Sequence, residues 1–186
     1  MSALLAVAFR IERALGAIAA GAGWLLVALT ALTCFDVVCR KIGVPLPYTK
    51  LQELEWHLHT AIFAGWLGFN YTINAHPRVD SYVENAALRP RAWIELAGCL
   101  LFALPYIAAV LYFGFGFVKH SWLANEASEA ANGLPYRWII KSVLYAGVGL
   151  VLLAIVSVIL KLVAVLFGGR SFDEARLALE PSPSEV

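Results

Sequence analysis

The densest concentration of reactive side chains is the stretch LQELEWHLH, residues 51–59, which carries Gln52, Glu53, Glu55, His57 and His59. Side chains four apart on a helix meet across one turn, so this spacing predicts a Glu53–His57 pair on one face and a Glu55–His59 pair on another. Such pairs can shuttle a proton, ligate a metal or serve as polar contact surface. Three readings follow. The first is the interfacial start of a helix, with both glutamates favoured near the positive end of the helix dipole. The second is a recognition surface for a larger membrane partner, and the third is metal or haem ligation. For a metal, neither His-Glu-x-x-His nor a doubled Glu-x-x-His is present. A haem pair would have to use His57 and His120, which start and end successive apolar segments on one membrane side.

Other reactive groups add little. Cys34, Cys39 and Cys99 are odd in number and form no C-x-x-C, so they read as small buried hydrophobes and argue against a disulfide-handling enzyme. No Ser-His-Asp constellation and no nucleotide-binding loop occurs, so the sequence predicts neither an enzyme nor a bound cofactor. A net charge of +1 provides no basic excess for nucleic acid.

The elements that must position these residues are those of a membrane protein. Of 186 residues 61% are hydrophobic and 15% charged, against about 25% charged in a soluble domain. The pattern predicts an all-α integral membrane fold over residues 1–168 with four transmembrane helices, at about 14–38, 51–74, 92–120 and 138–167. No soluble domain is expected, and residues 169–186 form a polar tail, partly disordered. The charge-free run from Ala14 to Phe35 exceeds a signal-peptide core and reads as a retained helix. Trp56, Trp93, Trp122 and Trp138 stand at segment ends, as interfacial anchors do. Lys161 is expected to snorkel, and Asp36–Arg40 and Arg91–Glu95 are spaced for ion pairs near water. No deep unpaired charge, discontinuous helix or internal repeat suggests a transport site within this chain. An even number of spans puts both termini on one side. Lysine and arginine divide seven against six between the sides, a slight preference for cytoplasmic termini.

The second helix is unusual. Its uninterrupted apolar core runs only from Ala61 to Phe69, too short for a hydrocarbon layer about 30 Å thick. Leu51, Leu54, Leu58, Ala61, Gly65 and Gly68 recur in steps of three and four, a narrow seam expected to pack on a helix, with its small half allowing close approach. Polar residues flank that seam on both sides, which suits protein or headgroups better than lipid.

Four runs in order carry a resemblance: DVVCRKIG, QELEWHL, GFNYTINAHPRVD and EASEAANGLPYRWIIK, spanning about Asp36 to Lys141. The chain resembles the small membrane subunit, DctQ-like, of tripartite ATP-independent periplasmic (TRAP) transporters. The resemblance implies a bacterial inner-membrane protein paired with a large M subunit, which carries the substrate and sodium sites. A periplasmic substrate-binding protein would deliver an organic acid such as a 2-oxo acid or dicarboxylate. The small subunit would act as scaffold, in contact with membrane lipid and enlarging the fixed part of the machine. Partner-interface or structural candidates are Glu53, Glu55, His57, His59, Gly65, Gly68, His76, Arg78, Asp80, Glu126, Pro135 and Trp138. The competing identity is a haem b-binding anchor subunit of a respiratory enzyme.

Overall fold

The computed structural model describes residues 2–73, 87–130 and 132–167. Helix α1 spans Ser2–Ile42 and α2 spans Tyr48–Thr72. A third span runs through α3 (Leu88–Gly98), a π-helical turn (Cys99–Ala103) and α4 (Leu104–Leu123), and α5 covers Trp138–Phe167. No strand occurs among the described residues. Three helices are long and apolar enough to cross a membrane: Ala3–Ile42, Arg89–Leu123 and Trp138–Phe167. Helix α2 is not among them, in keeping with its short apolar core.

Helix α1 begins well before the expected Ala14. Arg10, Glu12 and Arg13 end the apolar run without ending the helix, because charged side chains are good helix formers. The α1–α2 turn contains Gly43, whose positive φ of 76° favours glycine, and Pro47 caps α2. Pro90 fits the first turn of α3, where its missing N–H has no partner to lose. The π turn ends two residues before Pro105, near the start of α4. A proline ring clashes with the carbonyl four residues back, and a wider turn relieves that clash.

Helix α5 is the hub, packing on α1, α2, α3 and α4, and α2 lies in the groove between α1 and α5. The buried cluster Ala92, Leu96, Cys99, Ile107, Ile155, Val158, Leu162 and Leu166 joins α5 to the third span. Small residues bring α2 into its groove. A Cβ on Gly65 would lie 2.5 Å from Ala22 Cβ of α1, and one on Gly68 would lie 2.7 Å from the Leu150 carbonyl of α5. A Cβ on Gly147 of α5 would in turn lie 2.8 Å from the Ala64 backbone. The expected seam therefore divides, its small half serving two neighbours, with Gly65 against α1 and Gly68 against α5, while Leu54 is exposed. The Trp66 indole N–H donates to the Ala19 carbonyl at 2.8 Å, tying α2 to α1.

Two ion pairs bracket the helices. At one end Glu12 of α1 meets Lys161 of α5 at 2.5 Å, and the Ser157 hydroxyl lies 3.1 Å from Glu12 Oε1 and 3.2 Å from the Ala8 carbonyl. Lys161 is only 8% exposed, so it does not snorkel as expected; a carboxylate on the facing helix reaches it first. At the other end Arg40 clamps Asp36 through Nε at 3.0 Å and Nη2 at 2.9 Å and stacks on Tyr48 at 4.4 Å. Asp36 is 5% exposed, drier than its place near a segment end suggested.

Candidate functional site

The first turns of α2 converge with the α4–α5 loop, residues 124–137, and the start of α5. Glu53 Oε1 accepts the Ser128 hydroxyl, and Oε2 accepts the Leu134 N–H at 2.5 Å. The loop closes on itself, with the Ser128 N–H donating to the Leu134 carbonyl at 3.0 Å and the Arg137 N–H to the Glu126 carbonyl at 2.8 Å. The Glu126 carboxylate meets Lys141 of α5 at 2.5 Å, and that ammonium lies 4.0 Å from the centre of the Phe117 ring. Trp122 and Trp138 pack beside this knot with ring centroids 4.3 Å apart.

Backbone conformation at the loop is demanding. Asn125 and Tyr136 have φ of 44° and 63°, a left-handed region that asparagine tolerates and a bulky residue enters only when its surroundings impose it. Gly133 has no room for a side chain, because a Cβ there would lie 2.7 Å from Glu53 Oε1 and closer still to Ser128. Gly133→Ala is therefore expected to displace Glu53 or Ser128. Proteolysis of the loop should accelerate roughly tenfold, the scale of losing one charge-assisted hydrogen bond. An unchanged cleavage rate would contradict this.

The loop acid of this knot is tuned. The Lys141 ammonium that bonds it, then the Ser121 hydroxyl, hold the Glu126 carboxyl below its ordinary value of 4.5. A lowered folded-state value contributes stability that is present above about 4.5 and lost as pH falls through that lower value. A nitroxide at N132C is thus expected to stay immobile from pH 7 to below 4.5 and loosen only under stronger acid. Loosening between pH 7 and 5 would count against the tuning.

The expected Glu–His pairs do not form as drawn. His57 Nδ1 lies 2.5 Å from the Glu53 carbonyl, while the Glu53 carboxylate turns to the loop, which offers donors of better geometry. His59 is exposed and packs near Trp56, with centroids 6.5 Å apart, and Glu55 makes no hydrogen bond to any described residue through its buried Oε1. Glu53, Glu126 and Trp138 are thus brought together, with Pro135 exposed in the loop they hold. Gly65 and Gly68 belong to the packing of α2 further along. His76, Arg78 and Asp80 lie outside the described residues. Among the described residues no group of three His, Cys, Asp or Glu side chains converges as a metal site, and nothing favours a haem pair of His57 and His120. Ser128, Gly133, Leu134 and Lys141 were not among the candidate site residues, although all fall in the run EASEAANGLPYRWIIK, where Gly133 marks a turn. Glu12 and Ser157 had no signal beyond their polarity.

These features define a multi-pass helical membrane subunit whose polar groups mostly knit its own helices and loop together. The family model described as tripartite ATP-independent periplasmic transporters, DctQ component, matches residues 29–165, and the chain belongs to that family. It is a transporter component, and the family is not one of enzymes. Comparisons with curated proteins and with solved structures return no match.

Proposed function

We propose that this chain is the scaffold subunit of a sodium-driven uptake system for an organic acid, paired with a large M subunit in the bacterial inner membrane. A periplasmic substrate-binding protein delivers the acid, a 2-oxo acid or dicarboxylate, and both termini of this chain lie in the cytoplasm. The observation that supports this best is α2. It is too polar to cross lipid by itself, it is seated between α1 and α5, and its first turns are used to fasten a loop. A helix spent in that way braces a surface and leaves transport to a partner.

The test is reconstitution of this chain with a large M subunit and a substrate-binding protein from the same organism. Uptake into proteoliposomes should require an inward sodium gradient and all three proteins. Equal uptake without this chain would overturn the scaffold role, and uptake indifferent to sodium would overturn the coupling. Fusing alkaline phosphatase to the C-terminus should give an inactive reporter; an active one reverses the orientation.

A further inference from the structure

A groove of about 350 Å³ runs along the α1–α2 contact, between the small residues Gly16, Ala20 and Gly23 of α1 and the side chains of Trp66, Phe69 and Asn70 of α2. The glycines set its depth. A Cβ on Gly16 would already lie 3.5 Å from the Phe69 ring, and one on Gly23 3.9 Å from that of Trp66, so both rings rest beside bare backbone and wall the channel. Ala20 and Trp66 are exposed along it, which leaves the channel open to the surrounding bilayer.

Polar groups without partners stand at one end of this groove. The contact of Gly16 with Phe69 puts Asn70 level with Gly16 to within about one residue rise. Its side-chain amide makes no hydrogen bond to any described residue. Arg13 is exposed, about 4.5 Å further along α1 and in the same stripe, since residues 13, 16, 20 and 23 share one side of a helix. It has no carboxylate partner among the described residues, its neighbour Glu12 being held by Lys161 and Ser157. Arg10, one turn further out, is likewise exposed and has no such partner. Arg13 also closes the charge-free run that begins at Ala14, so this end of the groove opens at the headgroup boundary, the limit that the Glu12–Lys161 pair marks as well.

Cation, amide and apolar channel thus follow one another from the boundary inward, the order in which a phospholipid presents phosphate, glycerol ester and acyl chain. An acyl chain alone offers an amide nothing, whereas an ester carbonyl accepts its N–H. Two arginines without counter-charge favour a headgroup of net negative charge over one that carries its own ammonium. We infer that this groove binds one anionic glycerophospholipid, such as phosphatidylglycerol. Arg13 takes the phosphate, the Asn70 amide donates to an ester carbonyl, and an acyl chain lies in the channel over Gly16, Ala20 and Gly23. The site is built from this chain alone and does not depend on the proposed scaffold role.

Native mass spectrometry of the lipid-free full chain, titrated with phosphatidylglycerol or phosphatidylethanolamine, should show one phosphatidylglycerol retained about tenfold more tightly, the scale of one charge-assisted contact. Arg13→Gln should bring the two lipids within about twofold of each other. Ala20→Phe, which fills the channel from an exposed position, should lower retention of both about tenfold, and Asn70→Leu should lower both less. Unchanged thermal unfolding of the lipid-free Ala20→Phe chain would show that the fold is kept; if that variant unfolds, the Arg13→Gln comparison decides. Equal retention of the two lipids by the unmodified chain would overturn the anionic site, and retention indifferent to Ala20→Phe would assign the bound lipid to the general coat and overturn the groove. In native membranes, a phosphatidylglycerol with a diazirine in its acyl chain should label peptides that hold residues 16–23 and 66–70. Labelling of the purified chain that disappears in native membranes would give the groove to a neighbouring protein helix and overturn the lipid site.

Discussion

Replacing Glu12 with alanine is expected to cost about 3–5 kcal/mol, the typical loss when one member of a buried ion pair is removed. Lys161 would then hold a charge at 8% exposure with no other carboxylate in reach among the described residues. Twenty residues separate it from Lys141 on α5, about 30 Å of helix, so the two ion pairs Glu12–Lys161 and Glu126–Lys141 stand at opposite limits of one hydrocarbon layer. Ser157 joins the first pair to the Ala8 carbonyl and thereby locks the N-terminal part of α1 onto α5. The check is chemical unfolding in detergent of E12A, K161M and the double change E12L/K161M. The double variant should regain most of the loss, because no buried charge remains. A cost below 1 kcal/mol for E12A, or a double variant as unstable as the single, would refute the account.

Gly68→Leu is expected to separate α2 from α5. A first side-chain carbon at that position would lie 2.7 Å from the Leu150 carbonyl oxygen and 2.9 Å from its carbon. Those atoms are backbone in the middle of a helix and cannot rotate aside. Overpacking of a filled core costs about 1–3 kcal/mol and more where backbone must move, so this change belongs at or beyond the top of that range. Gly147→Leu should act alike from the other helix, through the Ala64 backbone. By contrast Gly149, whose added carbon meets nothing within 4 Å, should accept alanine with little effect. Thermal unfolding of the three variants in one detergent measures the ranking, and G68L melting with G149A would contradict it.

Both results bear on the proposed scaffold role, since a brace works only if its helices hold their spacing under load. The Glu12–Lys161 pair, the Gly68 contact and the Glu53 lock secure three separate joints: α1 to α5, α2 to α5, and α2 to the α4–α5 loop. They share no side chain, so their effects should combine almost additively.

Length, apolarity and interruption by polar residues were enough to determine the helical class, because about 20 apolar residues satisfy their own backbone only as a helix in lipid. The same arithmetic shows α2 to be too polar to stand alone, and the order of four short motifs points to the DctQ family that the match over residues 29–165 establishes. Helix ends were less legible. Charges at Arg10, Glu12 and Arg13 interrupt hydropathy but not helix, so α1 starts at Ser2.

Which polar residues meet was a matter for the tertiary structure. Spacing of four places Glu53 beside His57, yet spacing is blind to donors arriving from 75 and 81 residues away, and Ser128 and Leu134 take the carboxylate. Glu12 and Lys161 lie near opposite ends of the sequence, and only the packing of α1 on α5 makes them partners. Sequence periodicity orders residues around a single helix, whereas ion pairs and loop locks depend on distances between helices. The sequence thus determined that α2 needs protein around its polar turns, and the fold decided that Glu53 finds donors in the α4–α5 loop while Glu55 Oε1 has no hydrogen-bond partner among the described residues.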